Sequence, residues 1–536
     1  MKKIIIIILS LFNTFLFAQS EQRNIELPDF VITGKQSVQI PIAAKKKPDF
    51  VSTISQEYLT PQYTPEELPI LISSNPVPFN PDINPVKEYF NSSLKVQVGK
   101  YSWPDGEFNL NKSLDNYLFN VKAWGSNIKD YVEYAGYNNS GVSTNNEFFF
   151  STKSDFLPGA KVKFGADYSR DSYHLFGSDN PSFLRETNNI NANASISSSY
   201  SRWINFEFGI SGNALSLKEN DSKETNVKTS GLFEFKMNNY SLGIKGNFNK
   251  QMLDNYFQNG NGNYVTLEGF FKGTPVSTFR WTAGVVYASA SSDNFFSPYG
   301  SFELLIDKGF TLFAEYKPHA QLFGVTDFLK KNPYFMTGNI DNVFSKYKID
   351  FKSILKYEYE KMFNVSATMG YSKVSNYFYF GDMAHITPGD LILSNKFYLL
   401  VLPEAEIISG GLNLTFYPSL YGNFVVDLLF KSAKDNAGNY IPYEPQITSI
   451  LGYGFDFQFG LGFKLKYILA MDTYTGLGNS DKLSDYHNIS LFLDYEFLKG
   501  LKLTADFQNI LNRTNFTWKQ YQEKPFDLLV GIEYCW

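Results

Sequence analysis

One cysteine, Cys535, is all the thiol this chain contains, so no disulfide can form within it. Its place at the far end also excludes a lipid anchor of the kind attached near an N-terminus. Histidine is nearly as scarce. His174, His319, His385 and His487 stand far apart with no His-x-x-x-His spacing, so no metal is expected. Charged residues make up only 19% and the net charge is −5, which gives no reason to expect nucleic acid as a partner. After Ala18 no run of about 18 apolar residues occurs, so no membrane-spanning helix is expected downstream. Proline is thin over most of the length, because ten of the 23 prolines crowd into positions 28, 41, 48, 61, 65, 69, 76, 78, 81 and 85. Motifs of enzymatic chemistry are missing too. No phosphate loop, zinc framework or serine-hydrolase elbow is present, and no cofactor or catalytic residue is predicted. Gly260-Asn261-Gly262-Asn263 reads as a flexible loop tip only.

What is abundant is aromatic: 51 Phe and 36 Tyr, with 17% of the chain in rings. Rings suit a lipid-facing surface and both membrane interfaces. Residues 1–18 read as a secretory signal peptide, with Lys2 and Lys3 ahead of the apolar stretches Ile4 to Leu9 and Leu11 to Phe17, and Ala18 before the cut. Residues 19–91 hold the crowded prolines, which lack the N–H a sheet ladder needs, so this segment is predicted as an extended periplasmic leader that could sit partly inside the barrel mouth. A secreted chain without spanning helices can still live in a membrane as a closed barrel, where every backbone group is paired.

From Ser92 the pattern has period two. Over 345–359, Tyr347, Ile349, Phe351, Leu355, Tyr357 and Tyr359 oppose Lys346, Lys348, Asp350, Lys352, Lys356 and Glu358. Leu501, Leu503, Ala505 and Phe507 oppose Lys502, Thr504, Asp506 and Gln508, and Leu242, Ile244 and Phe248 oppose Ser241, Lys245 and Asn247. Tight turns such as Asp115-Asn116, Asn238-Asn239, Asp307 to Gly309, Pro418 to Gly422 and Leu498 to Gly500 alternate with longer links, among them 216–225, 290–296, 319–344, 374–403 and 513–525. One rising strand at 93–101, ten hairpins and a closing strand at 526–536 make about 22, an even count that places both termini in the periplasm. The segment 391–402 is strand-like and reads as a hairpin arm of a long outer loop. The predicted fold is therefore all-β: a transmembrane antiparallel β-barrel over residues 92–536 in a bacterial outer membrane, embedded in its lipid. Inward charges of both signs, such as Lys464, Lys466, Asp494, Glu496, Glu268 and Lys272, predict a wet lumen whose charges pair with one another.

At the end of the chain Phe526, Leu528, Val530, Ile532, Tyr534 and Trp536 share one face. This amphipathic strand with a terminal ring resembles the signal read by the outer-membrane barrel-assembly machinery. The strand count, the stretch Phe507-Gln508-Asn509-Ile510-Leu511-Asn512 with Arg513-Thr514-Asn515-Phe516, and the closing Val530-Gly531-Ile532-Glu533-Tyr534 resemble TonB-dependent receptors. That resemblance implies solute uptake across the outer membrane. Leu27-Pro28-Asp29-Phe30-Val31-Ile32-Thr33-Gly34 looks like the leader of that family. The resemblance would make Asp29, Phe30, Val31, Ile32 and Thr33 a segment that adds a strand to a periplasmic energising protein, although the same residues would also serve any ordinary strand. The family carries a plug domain within the barrel, whereas residues 19–91 are few and proline-rich, so a plug is not expected here. The alternative to transport is a structural or docking barrel, with Tyr377, Phe378, Tyr379 and Phe380 as exposed contacts for a surface partner, or with the leader recruiting a periplasmic one. That aromatic run could equally extend a strand above the membrane.

Overall fold

The computed structural model describes residues 91–536 apart from Asn220, 255–259, 291–292, 338–343, Lys361, 383–396 and 418–421. The signal peptide, the leader with Asp29 to Thr33, and His385 lie outside the described residues.

The wall strands form one continuous antiparallel sheet that closes on itself. Twenty-two strands make the wall, and two short ones, His319–Leu322 and Phe335–Met336, bring the sheet to 24. Closure comes from Ser92–Gly99 pairing with Asp527–Cys535, with Ser93 opposite Cys535 and Val98 opposite Val530. No sheet edge is left open at this seam, which removes the row of unpaired amides that an open sheet would present. Inward side chains stitch the same junction. Lys95 Nζ lies 3.1 Å from Asp506 Oδ2, Gln97 Nε2 donates to Thr504 Oγ1 at 3.0 Å and to Asp506 at 2.9 Å, and the fully buried Asp527 accepts from Ser102 Oγ at 3.0 Å and Lys524 Nζ at 2.8 Å.

The alternation sorts the residues as expected. Leu94, Val96, Leu242, Ile244, Leu503, Val530, Ile532, Tyr534 and Trp536 are exposed on the outside. The row from Phe526 to Trp536 is thus an outward one. The opposed Gln97, Ser241, Thr504 and Asp506 are buried on the inner wall. Lumen charges pair across strands: Lys272 with Glu234 at 3.3 Å, Lys317 with Glu268 at 3.5 Å, and Lys502 with Asp494 at 3.6 Å.

Two-residue turns at one end hold the register. Asn238 (φ 47°) and Gly309 (φ 84°) take the left-handed conformation such turns require, and a Cβ at Gly309 would run into the Glu358 carbonyl. At the other end the links are longer but less uniformly so than predicted. Lys100-Tyr101 alone joins the first two strands, and strand pairing runs on to Ala290 opposite Asp293 and Leu217 opposite Ser222, so the links read as 290–296 and 216–225 shrink to a few residues. Gly260-Asn261-Gly262-Asn263 is no loop tip. It opens the strand Gly260–Val276 and pairs with Lys250 to Leu253. The segment 391–402 belongs, from Phe397 onward, to the single wall strand Phe397–Phe416, which preserves the even count.

Two further corrections concern side chains. A bulge between Tyr347 and Ile349 breaks the alternation, so Tyr347 leaves the outward row, stacks on His319 at 4.4 Å and packs beside Val374. Tyr377, Phe378, Tyr379 and Phe380 are buried, not exposed. They extend Phe363–Asp382 past the wall, and both faces of that extension are covered: Phe378 and Phe380 pack in one apolar cluster, Tyr377 and Tyr379 in another.

Candidate functional site

Among the described residues the largest apolar cluster is not within the wall but across its long-link end. It gathers Leu215, Leu217 and Leu253 from wall strands, Val325 and Phe328 from a helix, Phe335, Phe378, Phe380, Phe397 and Leu399, and Tyr521 from the last long link. These residues come from strands distributed around the barrel, so the cluster is a lid.

Its central piece is a strap between the wall strands Phe310–Tyr316 and Phe344–Tyr359. The strap first lays His319–Leu322 against Phe344–Tyr347, then forms the helix Val325–Lys331, then pairs Phe335 and Met336 in parallel with Phe397 and Tyr398. Wall residues hold it at both ends. Fully buried Glu224 accepts from the backbone N–H groups of Val325 at 2.9 Å and Thr326 at 3.1 Å, and from Gln251 Nε2 at 2.6 Å. Those amides have no partner within the helix, so a wall carboxylate both caps it and satisfies them. Arg185, 1% exposed, forks onto Glu219 with two 2.7 Å bonds and donates its remaining Nη1 bonds to the carbonyls of Pro333 at 2.7 Å and Phe335 at 2.8 Å. Tyr173 donates to the same Pro333 carbonyl at 2.8 Å. From the opposite side of the mouth Tyr521 stacks on Tyr334 with ring centroids 3.7 Å apart, and Trp518 lies 5.0 Å from Phe397. The neighbouring Glu523 accepts from Tyr486 at 2.8 Å, and burial holds its carboxyl above the usual carboxylate range.

Beneath the strap lies a polar chamber of about 800 Å³, within the size range of small-molecule sites. The inner wall supplies Asn193, Ser211, Ser230, Asn247, Asn249 and Thr266, and the strap supplies Lys317 and His319 to Leu322. Tyr264 ties strap to wall by donating to the Ala320 carbonyl. A second cleft of about 340 Å³ lies at the seam among Lys95, Glu107, Lys464, Asp494, Lys502, Asp506 and Glu533, where charges of both signs are interleaved.

The described histidines do not converge. His174 sits against Tyr134, His319 faces Asp350 at 3.3 Å, and His487 shares a hydrogen bond with Tyr467. Among the described residues no group of three or more His, Cys, Asp or Glu could hold a metal ion. Cys535 is buried at the seam.

A closed barrel of 22 strands with an apolar outer belt, a wet lumen and links folded across one mouth is a specific architecture. The chain has the barrel fold of the TonB-dependent receptors. A mutant of the ferric enterobactin receptor PfeA from Pseudomonas aeruginosa superposes with a TM-score of 0.61 at 12% identity, covering 83% of this chain and 80% of that one. The siderophore receptor PirA from Acinetobacter baumannii gives 0.62 at 10%, over 84% and 81%. The copper transporter OprC gives 0.58 at 11%, over 84% and 80%. No protein-family model and no curated protein sequence matches the chain. The TonB-dependent-receptor barrel with its outward apolar rows indicates an outer-membrane location.

The sequence did not single out Arg185, Glu219, Glu224 or Asn249. Glu219 and Glu224 fell in a stretch read as a link, 216–225, where a charge is unremarkable. An arginine and glutamates flanking the ends of otherwise amide- and hydroxyl-rich strands were the only available signal.

Proposed function

We propose that this protein takes up or passes a solute across the bacterial outer membrane, as a TonB-dependent receptor-like barrel with its long links outside and both termini in the periplasm. The lidded polar chamber carries this reading. A 22-strand wall encloses more space than side chains alone can fill, so something must occupy or gate it. Here the strap and the last long link close one mouth while leaving a wet space beneath. Opening of the strap would admit solute, and the leader, through Asp29, Phe30, Val31, Ile32 and Thr33, would offer a strand to a periplasmic energising protein. The outward row from Phe526 to Trp536 would serve as the assembly signal. The docking alternative loses its aromatic surface, because Tyr377, Phe378, Tyr379 and Phe380 are packed away.

Conductance in planar bilayers, with and without residues 19–91, tests the proposal. Solute-sized conductance in either form is the expected result. Silence in both forms, together with silence after the strap is released by Arg185→Ala, would count against passage.

A further inference from the structure

The chamber has a chemistry that the uptake reading does not specify. Register places its polar groups in rows across five consecutive strands. Asn193 lies opposite Ser211, Ser211 opposite Lys228, Lys228 opposite Asn249, and Asn249 opposite Tyr264. The adjacent row runs through Ser195, Gly209, Ser230, Asn247 and Thr266. Strands stand about 4.8 Å apart, so the first row presents a donor or acceptor at intervals close to the repeat of a pyranose chain, and the second does so at every position but Gly209, over a length on the order of 20 Å. Amides and hydroxyls both donate and accept, which is what a sugar hydroxyl needs from its partners.

The charges of the chamber nearly balance. Its three carboxylates are Glu268, Glu315 and Asp350, and against them stand two lysines, Lys228 and Lys317. Lys317 is 3.5 Å from Glu268, and His319 is 3.3 Å from Asp350. The single surplus negative charge repels an anionic metal chelate and is too little to hold a polycation. Asn249 lines the chamber in the first row, between Lys228 and Tyr264.

We propose that the chamber binds a neutral, hydroxyl-rich solute, a short linear oligosaccharide, along these two rows. The proposal rests on the uptake reading for its biological sense, but its binding step is measurable alone. The full-length chain in detergent would be titrated with a panel of neutral oligosaccharides (maltopentaose, cellopentaose, xylopentaose, mannopentaose and chitopentaose), with a ferric tris-catecholate complex and spermine as charged comparators. Calorimetry and saturation-transfer NMR would be the readouts. Each titration would be repeated in Arg185→Ala, so that a shut lid cannot hide the site. At least one oligosaccharide should bind, and neither charged probe should compete. Asn247→Leu and Asn249→Leu should each weaken binding by about tenfold or more, and Lys228→Gln by less than about threefold. Heat-modifiable migration on gels verifies that each variant is folded. Absence of binding by the whole panel to both lid forms, tighter binding of a charged probe, or undiminished affinity in the folded asparagine variants would overturn the assignment. Liposome swelling with the same sugars reads passage separately. Binding without passage would refute uptake and leave the chamber assigned; passage without binding would do the reverse.

Discussion

Replacing Arg185 with alanine should release the strap while leaving the wall intact. Arg185 and its partner Glu219 both belong to the wall side, so the ion pair itself survives when the strap lifts. What lifting breaks is the pair of bonds from the guanidinium to the carbonyls of Pro333 and Phe335. Hydrogen bonds from a charged donor contribute about 1.5–3 kcal/mol each, so the two together hold the strap by about 3–6 kcal/mol. Truncation also leaves the Glu219 carboxylate, 7% exposed in its side chain, without its cation beneath a closed lid, which penalises closure further. At about 1.4 kcal/mol per factor of ten, opening should become ~10²–10⁴-fold more frequent. Native-state hydrogen exchange reads this directly through the amides of the helix Val325–Lys331 and of Phe335 and Met336. Arg185→Lys keeps the charge but not the planar fork and should fall between the two. A change below about threefold in the strap would refute the latch, because the bonds would then contribute almost nothing. Equal acceleration in the wall strands would refute it differently, by showing general damage.

Asp527→Ala should weaken barrel closure by about 2–5 kcal/mol, since the carboxylate is fully buried and answers three donors at the seam; a lower temperature for loss of the compact band on unheated gels measures it. Val530→Lys should cost about 2–4 kcal/mol if the residue meets the bilayer midplane, and Lys502→Gln on the lumen side far less, as read from the fraction folded in outer membranes. The pH dependence of the lid follows from Glu523. Its carboxyl lies above the ordinary value when buried, so the closed state binds the proton more tightly than an open one. Its contribution to closure is therefore complete below the ordinary value near 4.5 and is lost as pH rises through the raised one. Acidification should shield Trp518 from acrylamide, and Glu523→Gln should abolish that dependence; an unchanged profile in the variant would refute the assignment.

The parts legible in the sequence were those set by strand geometry. Leu242, Ile244 and Phe248 declared an outward row because side chains alternate along any strand, and Asn238-Asn239 declared a two-residue turn because few residues tolerate its dihedrals. From such turns the register of neighbouring strands follows, so the rows through Asn249 were in principle readable once the turn was placed. The lid was not. Arg185 meets Pro333 and Phe335 only because the barrel curves and the strap folds across it. Tyr377 to Phe380 misled for a related reason. An aromatic run looks exposed when a link is assumed to project into water, and here the strand continues into a packed mouth. Tyr347 changed sides because a bulge resets the phase of alternation, and bulges leave no reliable mark in composition.

The seam has a consequence for biogenesis. Ser92 and Trp536 exchange backbone hydrogen bonds in both directions and extend the pairing of Ser92–Gly99 with Asp527–Cys535, so the wall becomes continuous only when that last strand is in place. A product that stops before this strand carries two raw margins, each ready to pair with whatever strand it meets. Ribosomal order therefore offers no gradual route to a watertight cylinder. The nearly finished ribbon has to be kept apart from its siblings until the closing strand finds the first one, and a truncation that removes Asp527–Cys535 would leave the seam open.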